Sequence, residues 1–522
     1  MKKILIPCLA LSILLSTSAP LLAQNKTRRL STTALKDKIK GGWAGQMIGV
    51  SYGAPTEFKS NGKIIEGELK WSPDRISNSI DQDDLYVEMT FTKVLDDLGL
   101  NATCEQFGEA FKDSKYNLWH ANAGARRNLN RGIKAPWSGH PKYNFHANDI
   151  DFQIEADFIG MMTPGLPQEA NKYADRVGHV MNYGDGLYGG MFVSGMYAAA
   201  FFESDPRKVV EAGLKSIPAQ SGYAKLVSDV LAFHQQYPDD WKKAWKLLTE
   251  KWDKDDPCPD GALAAFNIDA RLNGGHIVLG LLWGNGDFNK TIDIATRAGQ
   301  DSDCNPSSAL GILGVMMGYD KIPDEWKSGI PAIADQKFQY TDYSFNSIVD
   351  STIKRALKVV ASVGGKVTDK EIIIPVQLAK APKLEQWNPG IPDKFVPFND
   401  SAWQWKGDWS DESQPKNSTN KSGVTGKVAH GTGAEAVLTF EGIAICILGT
   451  MTQEGGRGDV YLDGKKMDYI DAYVSERTFD NDLWRAYDLK RGKHTLRIVT
   501  RDDADPRSKN KNVALRRAII YR

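Results

Sequence analysis

The chain has 522 residues, 41% hydrophobic and 25% charged, the balance of a globular protein with two or more domains. Lys+Arg and Asp+Glu both number 65, so the formal net charge is zero. Nothing in that balance points to nucleic acid or anionic lipid as a partner.

At the N-terminus, Lys2 and Lys3 precede an apolar run at 4–15 and a small-residue stretch ending at Ala23. This pattern predicts a secretory signal over residues 1–23. The apolar run is too short to span a bilayer, so we expect no membrane span and export to the periplasm or the cell exterior. Cys8 lies inside that run and not at the cleavage point, which argues against a lipid anchor. Cys104, Cys258, Cys304 and Cys446 form no CxxC pair, so free thiols are expected.

Residues 29–364 read as mainly helical. The first predicted helix, 35–50, carries Gly41, Gly42, Gly45 and Gly49 at three-to-four spacing. Glycine weakens a helix, so such a stripe implies close helix packing or a ligand against the backbone. A Gly/Pro turn follows and carries Glu57. Asp81-Gln-Asp-Asp84 then precedes a helical run with Val87, Phe91, Val94, Leu95 and Leu98 on one face. The stretch 119–132 mixes Asn, Gly and Arg, including Arg126, Arg127 and Arg131. Two further loops, 148–157 and 182–190, are polar, acidic and glycine-rich. Asn148, Asp151 and Glu155 from one, and Tyr183, Asp185 and Gly186 from the other, are candidate substrate contacts. They suit a pocket for a sugar or nucleoside.

Helical runs at 223–235, 241–251, 262–271 and 288–298 lead to Gly299-Gln-Asp-Ser-Asp-Cys-Asn-Pro-Ser-Ser308. Asp301 and Asp303 stand just before another apolar helix, with Asn305 suited to its N-cap and Pro306 to its first turn. Either acidic turn alone reads as an ordinary helix cap. Two such turns brought together would hold a hard cation with oxygen ligands.

Residues 365–397 read as a linker, with Pro382, Pro389, Pro392 and Pro397. From 398 to 522 the pattern is β. Strands are expected near 436–440, 443–448, 459–462, 494–500 and 514–521, with Asp463-Gly464 as a hairpin turn. The fold class is therefore a mainly α domain followed by a small antiparallel, jelly-roll-like β-sandwich. Trp403, Trp405 and Trp409 suit core packing better than sugar stacking.

The helical part resembles the ADP-ribosylglycohydrolase family, of the dinitrogenase reductase-activating glycohydrolase type. The resemblance rests on three motifs in order: the glycine helix leading to Glu57, Gln82-Asp83-Asp84-Leu85, and Gly299-Gln-Asp-Ser-Asp-Cys304. It implies an all-α fold and a site for one or two Mg²⁺ ions, with Mn²⁺ or Ca²⁺ as alternatives. The implied metal ligands are Gln82, Asp83, Asp84, Asp301 and Asp303. Glu57 is the implied acid/base, with Asp84 or Asp303 as alternative bases. Gln82 and Cys304 replace the family's hydroxyls, and Gln46 stands where the family has Asp. A thiol is too soft for Mg²⁺, so one firm and one weak cation position are expected. The C-terminal part resembles galactose-binding-like, carbohydrate-binding sandwiches. The activity implied is hydrolysis of an N- or O-glycosidic bond in a furanosyl or ADP-ribosyl substrate, small molecule or glycan. The competing readings are a non-catalytic glycan-binding protein and a glycosidase acting on polysaccharide side chains without a nucleotide.

Overall fold

The computed structural model describes residues 26–254, 257, 259–385, 387, 390–413, 423–475 and 478–522. The expected signal and Cys258 lie outside these residues. Among those described, no helix is long and apolar enough to cross a membrane, and Cys104, Cys304 and Cys446 are free thiols.

The first long helix is Thr32–Gly53, capped by the Ser31 side chain, which accepts from the Ala34 amide at 3.1 Å. It packs along Cys304–Met317, and the glycine stripe is the reason the two can meet. A Cβ added at Gly45 would lie 2.1 Å from the Leu310 carbonyl oxygen, and at Gly49 2.3 Å from that of Pro306. Those distances leave no room for any side chain. The stripe therefore serves helix packing, the first of the two expected reasons. Both helices are buried almost all round, so their core spans the centre of the domain.

The helix Asp83–Leu98 is tied to Phe345–Ser362 by Asp96, which pairs with the buried Arg355 at 2.8 Å and accepts from Tyr343 Oη. The predicted run 262–271 is broken. Helices form at Pro259–Leu263 and Ala270–Gly284, and residues 264–269 between them are not helical. Two side-chain hydrogen-bond partnerships of Gln300 hold this loop, one accepting from the Asn267 amide and one donating to the Ala265 carbonyl, both at 2.9 Å.

The stretch 365–397 departs from a plain linker. Lys366–Val367 and Glu371–Pro375 join Thr27–Ser31 in a three-stranded antiparallel sheet on the helical domain. Pro392–Pro397 pairs with Val513–Tyr521 of the sandwich. Proline is tolerated in that strand because it lies at a sheet margin, where fewer amides must donate.

The sandwich has two antiparallel sheets. One runs Lys465–Asp471, Gly456–Leu462, Gly492–Ala504, Glu435–Gly442, Trp403–Lys406 in spatial order. The other runs Thr478–Ala486, Ala444–Met451, Val513–Tyr521, Val424–Ala429, Trp409–Ser413. The Asp463-Gly464 hairpin forms as expected, with φ of 51° and 78°. Trp403 is buried and stacks on Trp405 at 5.2 Å, which serves the core. Four arginines fasten the sandwich to the helical domain. Arg127 pairs with Asp482 at 2.8 Å, and Arg131 donates to the Asp471 carbonyl. Arg485 reaches the Lys142 carbonyl and Arg507 that of Asn130.

Candidate active site

The glycine helix delivers the chain to Glu57 beside the second acidic turn. A Cβ at Gly53 would lie 2.0 Å from the Ser302 carbonyl oxygen. Thr56 Oγ1 and Ser302 Oγ share a hydrogen bond at 2.8 Å, and the Phe58 amide donates to the Gln300 carbonyl at 3.0 Å. The two loops are thus stitched together by one side-chain and one backbone hydrogen bond. One oxygen each from Glu57, Asp301 and Asp303 lies within 4.8 Å of the others.

The helix Cys304–Met317 starts two residues before the sequence expectation. Asp303, and not Asn305, sits at its N-cap, without a side-chain cap bond. Asn305 instead donates from Nδ2 to Asn273 Oδ1 at 3.0 Å, anchoring the turn to Ala270–Gly284. Asp303 is therefore available to the cavity.

Asp83 and Asp84 open the helix Asp83–Leu98, also with no side-chain cap bond. Asp84 Oδ2 accepts from Cys304 Sγ at 3.3 Å, and Asp84, Asp303 and Cys304 form a second group within 4.8 Å. The two acidic turns thus meet. Gln82 stands beside them and donates to Asn78 Oδ1 at 3.1 Å. Asp84, Asp301 and Asp303 are each only 2% exposed. Asp84 Oδ1 and Asp301 Oδ1 make no hydrogen bond among the described residues.

Burial, then mutual repulsion, sets the electrostatics. Withdrawal from water and the charge of Asp303 push Asp83 up to about 6 and Asp84 and Asp301 well above the usual carboxylate range. Withdrawal from water, then the charges of Asp303 and Asp83, raise Glu57 to about 8. Behind them Glu88, Glu155 and Asp157 are also buried and raised, chiefly by desolvation. So many buried acids in one place are costly unless protonated or matched by positive charge. The two close groups, Glu57 with Asp301 and Asp303, and Asp84 with Asp303 and Cys304, share Asp303 and fit a divalent cation held at their junction, with Asp83 and Gln82 adjacent.

Glu57, Gln82, Asp83, Asp301, Asp303 and Cys304 line a cavity of about 510 Å³. Phe58 and Phe266, with ring centroids 4.6 Å apart, Tyr86 and Trp119 form its apolar surfaces. Asp151 lines it too, but both its oxygens cap the helix His120–Asn130, accepting from the Ala121 and Asn122 amides at 3.1 and 2.9 Å. Burial first, then Asp149, raises Asp151 to about 7. Glu155 lies fully buried behind, bonded by Asn122 Nδ2.

The other expected substrate contacts do not line this cavity. Asn148 and Asp185 border a separate one of about 360 Å³. Asp185 accepts from the Tyr223 amide at 3.0 Å, and Tyr183 donates to the Pro136 carbonyl. A Cβ on Gly186 would meet the Ala147 carbonyl. The reason is the turn Asp151–Ile154. Asp151 and Ile154 face the acidic cavity, while Phe152 and Gln153 pack on Gly189 and Gly190 of the helix Gly184–Ala200.

The sequence reading did not single out His120, His146, Asp149 or Phe266. His146 Nδ1 and Asp149 Oδ2 lie 2.5 Å apart, and His120 Nδ1 is 3.6 Å from the same oxygen. Burial, then the neighbouring His146, lowers the His120 imidazole to about 3, so it is neutral at ordinary pH. The chain has only eight histidines, and His120 within the polar stretch 119–132, with His146 just before the loop at 148–157, was the available signal.

Among solved structures, the chain is similar to an "ADP-ribosylglycohydrolase-related protein complex", at 13% identity and a TM-score of 0.44. That match covers 62% of this chain and 98% of the other. It is also similar to the CBM36-1 domain of a multidomain xylanase from the hindgut metagenome of Trinervitermes trinervoides, at 13% identity and a TM-score of 0.17. There 24% of this chain and 94% of the other are covered. These likenesses are too remote to carry a functional argument. No curated protein matches. The family model described as ADP-ribosylglycohydrolase matches residues 31–355, which contain the whole acidic cavity, and the chain belongs to that family.

Proposed function

We propose that the protein is an exported, metal-dependent glycoside hydrolase acting on an N- or O-glycosidic bond of a furanosyl, ribose-like or ADP-ribosyl substrate. The observation that carries this reading is that Glu57, Asp301 and Asp303 come within 4.8 Å of one another in an aromatic-walled cavity, with the buried Asp84 meeting Asp303 behind them. A bound Mg²⁺ or Mn²⁺ would supply a grip on vicinal sugar hydroxyls and lower the pKa of a water. The chain's own residues do the rest. Asp84, Asp301 and Asp303 supply its ligands. Phe58 and Phe266 narrow the access of bulk water and strengthen the charge interactions inside. Glu57, exposed at the cavity rim and raised in pKa, moves the proton at the glycosidic oxygen or the attacking water. The same carboxylates stabilise the positive charge that grows on the anomeric carbon. Export rests on the signal-like residues 1–23.

The test is hydrolysis of aryl furanosides, nucleosides and ADP-ribose conjugates, each with Mg²⁺ or with a chelator. Metal-dependent release of a furanose is expected. No turnover on the whole panel, with metal bound, would leave only sugar binding.

A further inference from the structure

We propose that the groove between the helical domain and the sandwich holds the part of the substrate beyond the scissile bond, and that this part is a glycan chain. The inference rests on the glycosidase reading above. The groove, of about 970 Å³, shares Leu118, Trp119 and His120 with the acidic cavity. The two volumes therefore meet along one wall, and together they greatly exceed what a single sugar fills. Val474, Ser475 and Thr478 of the sandwich form the opposite side. Trp119 is 53% exposed at the junction, an aromatic face open to the C–H side of a sugar ring.

The groove is held in shape. The helix His120–Asn130, which forms its inner wall, is fastened to the sandwich through Arg127 to Asp482 and through the Asn130 carbonyl to Arg507. A second domain that contributes a wall to an active-site groove acts as part of the binding site, not as a remote tether.

Its chemistry favours sugar over pyrophosphate. A diphosphate calls for cations free to fork onto its oxygens. Here Arg127 is committed to Asn481 and Asp482, and Arg126 donates to the Ser114 and Tyr116 carbonyls. Arg517 lies over the Phe395 ring at 4.3 Å, and Lys112 pairs with Glu109. Lys115 has no such tie among the described residues, one ammonium for two phosphates. Asn117, Asn130, Ser475 and Thr478 offer the amides and hydroxyls that suit sugar hydroxyls.

The experiment uses the full chain carrying Glu57→Gln, which holds sugar without turning it over. Calorimetric titration compares arabino-, galacto- and ribofuranosyl probes of one to five sugars with ADP-ribose. We expect affinity to rise at least tenfold from one sugar to three for the accepted series. Asn130→Trp and Ser475→Trp, both exposed groove positions, should each remove that gain and leave monosaccharide affinity unchanged. Length-independent binding overturns the inference, as does ADP-ribose binding that the groove blocks abolish. Aryl furanoside hydrolysis by the wild type separates the two readings. Turnover without length dependence sinks the groove alone, whereas length dependence without turnover sinks the glycosidase alone.

Discussion

The thiol of Cys304 donates to Asp84 Oδ2 at 3.3 Å, joining the starts of two helices that lie 220 residues apart. The second cysteine contact, to Asp303 Oδ1, is 3.8 Å. A sulfur therefore stands in the middle of the carboxylates, and desolvation together with Asp301 raises its pKa well above the ordinary thiol range. It stays a neutral thiol in a site otherwise built of hard oxygens.

Cys304→Ser replaces that soft atom with a hydroxyl of similar size. Mg²⁺ affinity should tighten by about tenfold, because hard cations prefer oxygen, while any preference for Zn²⁺ falls. Calorimetry with each ion on both proteins checks this. Unchanged affinities would place the sulfur outside the coordination shell.

Glu57→Gln keeps the shape of the rim and removes its transferable proton. Turnover of the accepted substrate should fall by about a hundredfold or more. The melting temperature should hardly move, since Glu57 is exposed. Equal turnover in the two proteins would remove Glu57 from the proton transfer.

Gly49→Ala tests the helix contact beneath the site. Its Cβ would meet the Pro306 carbonyl at 2.3 Å, and backbone on both sides cannot step aside. A loss of at least about 2 kcal/mol in unfolding free energy is expected from denaturant titration, together with weaker metal binding. Gly132→Ala is the control for site: its Cβ meets nothing within 4 Å, but its φ of 89° confines the cost to local strain. Gly49→Ala with wild-type stability and metal affinity would contradict the packing account.

His179 gives a pH signature. Burial opposes its charge, but the Asp175 carboxylate, 3.4 Å from Nδ1, and Glu385 Oε1, 2.7 Å from Nε2, win and raise it to about 10. Its folded pKa lies above its unfolded one. The stability it adds is therefore complete below about pH 6.5 and lost as pH climbs toward about 10. His179→Gln should flatten that part of the melting-temperature profile. Parallel profiles would show that the Glu385 bridge adds nothing.

That the two acidic turns could meet was legible in the sequence, and the rest of the cavity wall was not. Asp83, Asp84, Asp301 and Asp303 were legible because each pair opens an apolar helix, a local pattern. The strand hairpin at Asp463-Gly464 was legible for the same reason. Asn148 and Asp185 border a different cavity, and loop polarity does not say which face of a turn meets which cavity. The role of Arg127 and Arg131 in fastening the sandwich was hidden, since their partners near 471 and 482 lie some 340 to 355 residues away. The strands at 366–375 were masked by Lys and Pro composition, and pairing with Thr27–Ser31 supplied what local propensity lacked.

The most direct test of the central claim is the metal dependence of hydrolysis in wild type and Asp303→Asn. The protein is stripped with a chelator and assayed on the accepted furanoside as Mg²⁺ is added back, with bound metal measured in parallel. The account predicts turnover that rises and saturates with occupancy in the wild type, and a variant that binds Mg²⁺ at least tenfold more weakly. Full turnover in the stripped wild type, or wild-type metal affinity in Asp303→Asn, would contradict it.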